Sequence, residues 1–351
     1  MHALTFWGIQ DLRYEEVADP VLTSPDEAIV KVKAVGVCGS DISRYRKLGP
    51  YIPGLPWGHE FSGDVVEVGS EVTNVKVGDR VAGNPAMVPD KGSEHPAGMP
   101  SQHPNLNAIG ALVPGAYAEY VKVPSINLTP MAPTMSFEEG ALMEPTTVVL
   151  HGLYQTGLQM GDDVAVLGCG NLGLLSIAWA RLFGAKTIYA FDILDEKLET
   201  ARKFGADVTI NNRGKEVHEL IAEYCEGVDL AIESAGSPLT AAQVLGLPKR
   251  GGEVILMGIP YADVPMPRLY FERILRYELT VRGTWSCVSA PFPGKEWPNA
   301  IEMVGDKRVR IEDMITHRLN LSEGPDVFQR LIGGKEIFGK VMFYPEEDQD
   351  R

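Results

Sequence analysis

Residues 164–173 read VAVLGCGNLG, and the helix-like LLSIAWARLFG follows directly. An apolar run of strand type ends at Gly168, and Gly168, Gly170 and Gly173 stand in G-x-G-x-x-G spacing. Gly168 allows a tight turn, Gly170 lets a pyrophosphate approach the backbone, and Gly173 lets the helix pack closely on the strand. The free N–H groups of that helix, with Asn171 and Leu172 in its first turn, then face the phosphates. A glycine-rich turn alone is common. Here a second strand, TIYAFD, ends in Asp192 nineteen residues after Gly173, where a carboxylate chelates ribose hydroxyls and repels a 2′-phosphate. NAD is therefore expected rather than NADP, and Lys197 in the next helix is counted with the same site. An ordinary strand–turn–helix with a surface aspartate is the bland alternative.

Outward from this stretch the pattern repeats. TIYAFD precedes the helical EKLETARKFG. VTIN, a helix around VHELIAEYC, VDLAIESAG, a further helix, GEVILMG and LTVRGTW follow. Six strands with helical crossovers specify a doubly wound parallel sheet of Rossmann type. The first third of the chain differs. EAIVKVKAVGVC, HEFSGDVVEVG, VGDRVAG and GAYAEYVKVP alternate with a period of two, which predicts a β-rich unit, a distorted barrel. The Pro- and Gly-rich residues 84–107 form a long loop or lobe. Ser136 and Glu139 make a capping box at the start of a helix. After Trp285 the chain turns irregular, and GKVMFYP reads as a strand returning to the first unit. The expected division is residues 1–145 with 286–351, and 146–285 for the nucleotide domain.

Composition limits function. The chain has 351 residues, with 32 Lys and Arg against 47 Asp and Glu, a net charge of −15. Such a surface repels phosphate backbones, so nucleic acid is not an expected partner. No apolar run approaches membrane-spanning length, and MHALTFWGIQDLRYEE has no signal-peptide pattern. The four scattered cysteines form no disulfide framework. A cytoplasmic protein is expected.

Three residues could hold a metal. Cys38 lies in GVCGSD with Ser40 and Asp41, His59 in WGHEFSG with Glu60, and Glu144 in GALMEP. A thiolate, an imidazole and a carboxylate make a plausible zinc set, and three protein ligands with an open position define a catalytic site. Each also has a structural reading: a small core cysteine, a turn histidine, a solvated helix carboxylate. The spacing alone leaves both open.

GHEFSGDVVEVGSEV resembles the zinc-alcohol-dehydrogenase signature through Gly58, His59, Glu60, Gly63, Gly69 and Val72. With GVCGSD, VGDRV, GAYAEYV and GCGNLG in order, essentially the whole chain is similar to medium-chain zinc-dependent dehydrogenases. That resemblance implies a discontinuous GroES-like catalytic domain interrupted by a Rossmann domain, with the metal in the cleft between them. It implies Cys38, His59 and Glu144 as metal ligands. Glu60 is then an outer or exchanging fourth ligand, Asp41 orients His59 through a hydrogen bond, and Ser40 accepts the substrate proton. Two departures stand out. The four cysteines of a structural zinc lobe are missing from residues 84–110, where Glu94, His95 and His103 stand instead, so one metal is expected. Ser43 occupies a position where sorbitol-type relatives often have a histidine relay.

The glutamate of MEP follows the polyol branch, that of galactitol-phosphate, arabitol-phosphate and sorbitol dehydrogenases. FERILRYELTVRGTW with PFPGKEW resembles its phosphate-using members. Trp285 and Ser286 stand where sorbitol-type enzymes carry an arginine. Arg44, Arg46 and Lys47 follow the metal cysteine. They are either a clamp for a substrate phosphate or a solvated helix face, with Arg44, Lys47 and Trp285 as candidate substrate contacts. The expected reaction is NAD-dependent oxidation of a secondary hydroxyl of a polyol phosphate. The alternatives are a free polyol, a threonine-type or sugar-acid substrate, or a non-catalytic nucleotide-binding member of the fold. Zinc is the expected ion, with manganese open. The edge strand LTVRG and the resemblance imply a homodimer or homotetramer.

Overall fold

In a computed structural model of the chain, which describes residues 1–88, 99–334 and 336–345, the strand Asp163–Leu167 is paired in parallel on both sides. The sheet around it runs Val208–Asn211, Thr187–Asp192, Asp163–Leu167, Val228–Glu233, Pro248–Leu256, Thr280–Gly283. In chain order this is 3-2-1-4-5-6, the doubly wound arrangement whose switch point lies between Asp163–Leu167 and Val228–Glu233. Four of the five residues of Asp163–Leu167 are buried, as a strand covered on both faces requires. The helix Asn171–Leu182 supplies Leu174, Leu175 and Ile177 to the interior. This unit comprises Val148–Ser286 and Arg308–Arg310.

The other unit comprises Met1–Thr147, Cys287–Lys307 and the chain from Ile311. The short segment Arg308–Arg310 lies with the parallel-sheet unit. No linker marks the first crossing because the helix Met143–Leu153 runs through it unbroken. The main sheet is built on the ten-residue strand Glu27–Gly36. Glu60–Val68 pairs with it along one edge, and Tyr120–Pro124 takes its beginning on the other. The C-terminal strand Lys340–Tyr344 takes its end, Met342 opposite Gly36, so GKVMFYP does return to the first unit. The aromatic core around Phe6, Tyr45, Trp57, Tyr117, Phe328 and Phe343 fills this unit. Ser136 caps Phe137–Ala141: its Oγ accepts from the Glu139 amide at 3.1 Å, and Glu139 accepts from the Ser136 amide at 2.8 Å. Among the described residues no helix is long and apolar enough to cross a membrane.

Candidate active site

The glycine turn has the form its spacing predicts. Gly168 has φ +101°, and a Cβ on Gly173 would lie 1.9 Å from the Gly168 carbonyl oxygen. Gly170 is different. Its φ is −77°, and nothing lies within 4 Å of where its Cβ would be. The protein itself does not require glycine there, so the open space is what the missing side chain provides. Gly170 also offers no side chain to cap the helix, leaving the first-turn amides of Asn171, Leu172 and Gly173 for an outside acceptor. These residues fit a dinucleotide.

Asp192 is held beside this turn: Oδ2 accepts from the Cys169 amide at 2.8 Å and Oδ1 from the Leu194 amide at 3.0 Å. Burial, reinforced by Asp192, pushes the Cys169 thiol up, and the Lys197 ammonium opposes it. Across the switch point stands Glu233, a residue not singled out in the sequence. It is fully buried, and its Oε1 accepts from the amides of Ala235 (3.1 Å) and Gly236 (2.9 Å) and from Thr240 Oγ1 (2.7 Å). It thereby shapes the loop after Val228–Glu233.

In the first unit, Cys38 follows the strand Glu27–Gly36 by two residues and precedes the short helix Gly39–Ser43. His59 and Glu60 arrive at the start of Glu60–Val68. One ligand atom each from Cys38, His59 and Glu60 lie within 4.8 Å of one another. Glu144, in the first turn of Met143–Leu153, lies outside that trio but close enough to feel its charges.

Asp41 is fully engaged on one oxygen. Its Oδ2 accepts from Tyr117 Oη at 2.6 Å and from the Cys38 amide at 3.0 Å. Its Oδ1 has no hydrogen-bond partner and lies 3.6 Å from His59 Nδ1. That is longer than the hydrogen bond expected from the sequence, so the Asp41 carboxylate faces His59 without bonding it.

Lys340 is the second residue missing from the sequence reading. Its Nζ donates to Glu60 Oε1 at 2.8 Å, Glu60 Oε2 at 2.6 Å and the Val37 carbonyl at 3.1 Å. Both side chains are 1% exposed.

The electrostatics call for a cation. Burial works against a charged His59, yet Asp41, Cys38 and Glu144 prevail and hold it well above its ordinary pKa. Burial pushes the Glu144 carboxyl up to about 7 against the pull of His59, with Glu60 adding to the rise. Burial likewise raises Asp41. Four acidic groups, Cys38, Asp41, Glu60 and Glu144, thus face two basic ones, Lys340 and His59. Soft and hard donors together, surplus negative charge and an orphaned Asp41 oxygen fit a divalent ion of the zinc type.

The remaining predicted residues fall as follows. Ser40, in Gly39–Ser43, is half-buried with no hydrogen bond to its hydroxyl among the described residues. Arg44 opens a single wide helical turn, Arg44–Leu48. Its guanidinium lies 3.4 Å from the Tyr51 ring centroid and donates to the Gly49 carbonyl at 2.9 Å, so it is neither a free cation nor an ion pair. Lys47 is exposed, and Trp285, in the second unit, is 58% exposed. Glu94 and His95 lie outside the described residues. His103 accepts from the Asn105 amide.

Two family models match the chain, one for each unit. Residues 24–133 match the alcohol dehydrogenase GroES-like domain and residues 171–306 the zinc-binding dehydrogenase domain. Galactitol 1-phosphate 5-dehydrogenase of Escherichia coli K12 is 33% identical over 341 residues, covering 95% of this chain and 97% of that protein. Sorbitol dehydrogenase of Bacillus subtilis is 32% identical, covering 98% and 97%. The crystal structure of the E. coli galactitol-1-phosphate dehydrogenase superimposes with a TM-score of 0.91 over 98% of this chain and all of that one, at 32% identity. A zinc-binding dehydrogenase from Sinorhizobium meliloti 1021 bound to NADP gives 0.88 at 33% identity, covering 98% and 99%. With both domains matched in order and near-complete coverage, this chain belongs to the zinc-dependent medium-chain alcohol dehydrogenase family.

Proposed function

We propose that the protein oxidises a secondary hydroxyl of a polyol phosphate to the ketose phosphate, with NAD as hydride acceptor. The observation that carries the reading is the Cys38–His59–Glu60 cluster, partly open at Cys38 and His59, with Glu144 beside it, on a chain that also holds an unobstructed dinucleotide turn. Cys38, His59 and Glu60, with Glu144 beside them, would hold one zinc ion, and when bound that ion acts as a Lewis acid that lowers the pKa of an alcohol. Ser40 has an unengaged hydroxyl two residues from Cys38, suited to accept the proton from the substrate hydroxyl. Asp192 supports NAD, since backbone amides hold its carboxylate beside the glycine turn, and a carboxylate at the end of this strand accepts from ribose hydroxyls and repels a 2′-phosphate.

Arg44 supports the phosphate. Stacking on Tyr51 fixes the plane of the guanidinium and occupies its face, while its N–H groups other than the one on Gly49 remain in that plane for an anion. Among the described residues no carboxylate pairs with it. The same stacking also supports a free-polyol reading, in which Arg44 merely braces the turn. The protein is further proposed to work in the cytoplasm as a homo-oligomer.

A panel of free and phosphorylated polyols, assayed with NAD and with NADP, tests the proposal. The expected result is faster turnover of the phosphates with NAD. Arg44→Ala should then raise KM for the phosphate about ten- to a hundredfold, the loss of one charge-assisted pair, with little change for the free polyol. Equal kcat/KM for free and phosphorylated substrates would move the assignment to a free polyol.

A further inference from the structure

We infer that the Tyr117 hydroxyl locks the Asp41 carboxylate in place, so that only one of its oxygens is offered to His59. The inference rests on the reading that Cys38, His59 and Glu60, with Glu144 beside them, hold a metal ion. It names a residue outside that set on which the set's geometry depends. Asp41 lies three residues after Cys38, and its side chain is 1% exposed. Its Oδ2 accepts two hydrogen bonds, from Tyr117 Oη at 2.6 Å and from the Cys38 amide at 3.0 Å. Its Oδ1 accepts none and lies 3.6 Å from His59 Nδ1.

Tyr117 is itself firmly held. It is fully buried, its amide donates to the Trp57 carbonyl at 2.6 Å, and its carbonyl accepts from the Leu4 amide at 2.7 Å. Its ring meets Trp57 and Phe343 edge-on, with centroids 6.4 and 5.6 Å apart. Gly58, at φ +91°, stands against the same ring, and a Cβ there would lie 2.4 Å from it. Gly58 immediately precedes His59. One tyrosine therefore touches the histidine's segment with its ring and the cysteine's segment with its hydroxyl. That hydroxyl has a single proton. It also lies 3.2 Å from the Gly36 carbonyl, and the shorter contact to a carboxylate oxygen takes the proton.

The consequence reaches the imidazole. Two donors on one oxygen fix the plane of the carboxylate and leave the other oxygen, an acceptor, facing His59 Nδ1. An acceptor there selects the imidazole protonated at Nδ1, which leaves Nε2 for the ion. Without the hydroxyl, Oδ2 keeps only the Cys38 amide. The carboxylate then turns away from His59 more easily, and metal binding has to order it. Tyr117 acts through Asp41 and is a positioning residue.

Cobalt(II) alone, added to the full-length metal-free chain, tests this by chelator competition and visible absorption. Tyr117→Phe keeps the ring and removes only the hydroxyl. Cobalt affinity is expected to fall about three- to tenfold, less than for loss of a ligand's direct partner, because Tyr117 stands one residue further out. The thiolate-to-cobalt band should persist, since Cys38 keeps its place. Asp41→Asn should lower the affinity about tenfold or more. Adding Tyr117→Phe to Asp41→Asn should lower it no further, because the hydroxyl acts only through residue 41. A merely structural tyrosine gives another pattern: Tyr117→Phe lowers the melting temperature of the metal-free chain and leaves its cobalt affinity unchanged. That result overturns the inference, and so do additive losses in the double variant. If Tyr117→Phe does not fold, Asp41→Asn decides alone. The asparagine oxygen has to take the place of Oδ2 opposite the two donors, which turns its NH2 group toward His59 Nδ1. A wild-type affinity in Asp41→Asn would then show that residue 41 turns freely and is not locked. A wild type with no thiolate-to-cobalt band overturns the metal reading itself, and the inference with it.

Discussion

Two glycines of one turn are glycines for opposite reasons, and substitution separates them. Gly173 is required by packing, because its Cβ would meet the Gly168 carbonyl oxygen at 1.9 Å. Gly170 meets nothing within 4 Å and has an ordinary φ of −77°. Gly170→Ala should therefore change thermal stability by no more than about 1 kcal/mol, the scale of an N-cap exchange from glycine to alanine. It should nonetheless raise the NADH dissociation constant at least tenfold, because the methyl group enters the space left for the pyrophosphate. Gly173→Ala should instead destabilise the coenzyme unit by about 1–3 kcal/mol through overpacking. Melting curves and NADH fluorescence titrations read the two effects independently. Unchanged NADH affinity in Gly170→Ala would mean that the dinucleotide does not lie on this turn.

At the scale of elements, one carboxylate joins three segments that are far apart in sequence. Glu138, in the first turn of Phe137–Ala141, accepts from Arg318 Nε and Nη2 at 2.7 and 2.8 Å and from the Tyr344 hydroxyl. The Arg318 guanidinium, more than burial or Tyr344, decides the direction and holds Glu138 below the ordinary carboxylate pKa of 4.5. A depressed folded-state pKa contributes stability above the unfolded-state value, and that contribution is lost as pH falls through the folded value. Glu138→Gln should cost about 1 kcal/mol at pH 7, a modest figure because Arg318 is half exposed. The gap between variant and wild-type unfolding free energies should narrow as the pH falls below the ordinary value of 4.5 and close as it passes through the lower folded-state value. A gap independent of pH would assign the cost to geometry rather than charge. The same SFEE stretch shows what a sequence discloses. Ser136 and Glu139 were legible because a capping box is local, as were the glycine turn and Asp192. The partners of Glu138 were not, since they depend on the register of strands that begin at Ile315 and Lys340. Lys340 was hidden for the same reason. Nothing in GKVMFYP shows that its lysine points inward until the strand is paired against Gly36. Arg44 was legible as a cation, but its stacking on Tyr51 depends on the wide turn Arg44–Leu48.

At the scale of the molecule, the parallel sheet of the second unit ends on one side in Thr280–Gly283, and all four of its residues are exposed. Inner strands of such a sheet are covered on both faces, so an end strand this open is an unfinished surface. The helix Arg268–Arg276 that leads into it adds Leu269, Phe271 and Leu275, each more than half exposed. A second copy offers a matching edge. Pairing Thr280–Gly283 with itself across a two-fold axis satisfies the unpaired backbone groups of both chains and covers these apolar side chains. A net charge of −15 opposes casual association, so a specific pairing is needed to overcome it. The wild type is expected to sediment as a dimer or a multiple of one at micromolar concentration. Val281→Pro removes a backbone donor at the edge and should shift the mass toward monomer. NADH affinity should be largely retained, because two strands separate this edge from Asp163–Leu167. A wild-type mass that stays monomeric at all concentrations would show that this edge is protected by other means.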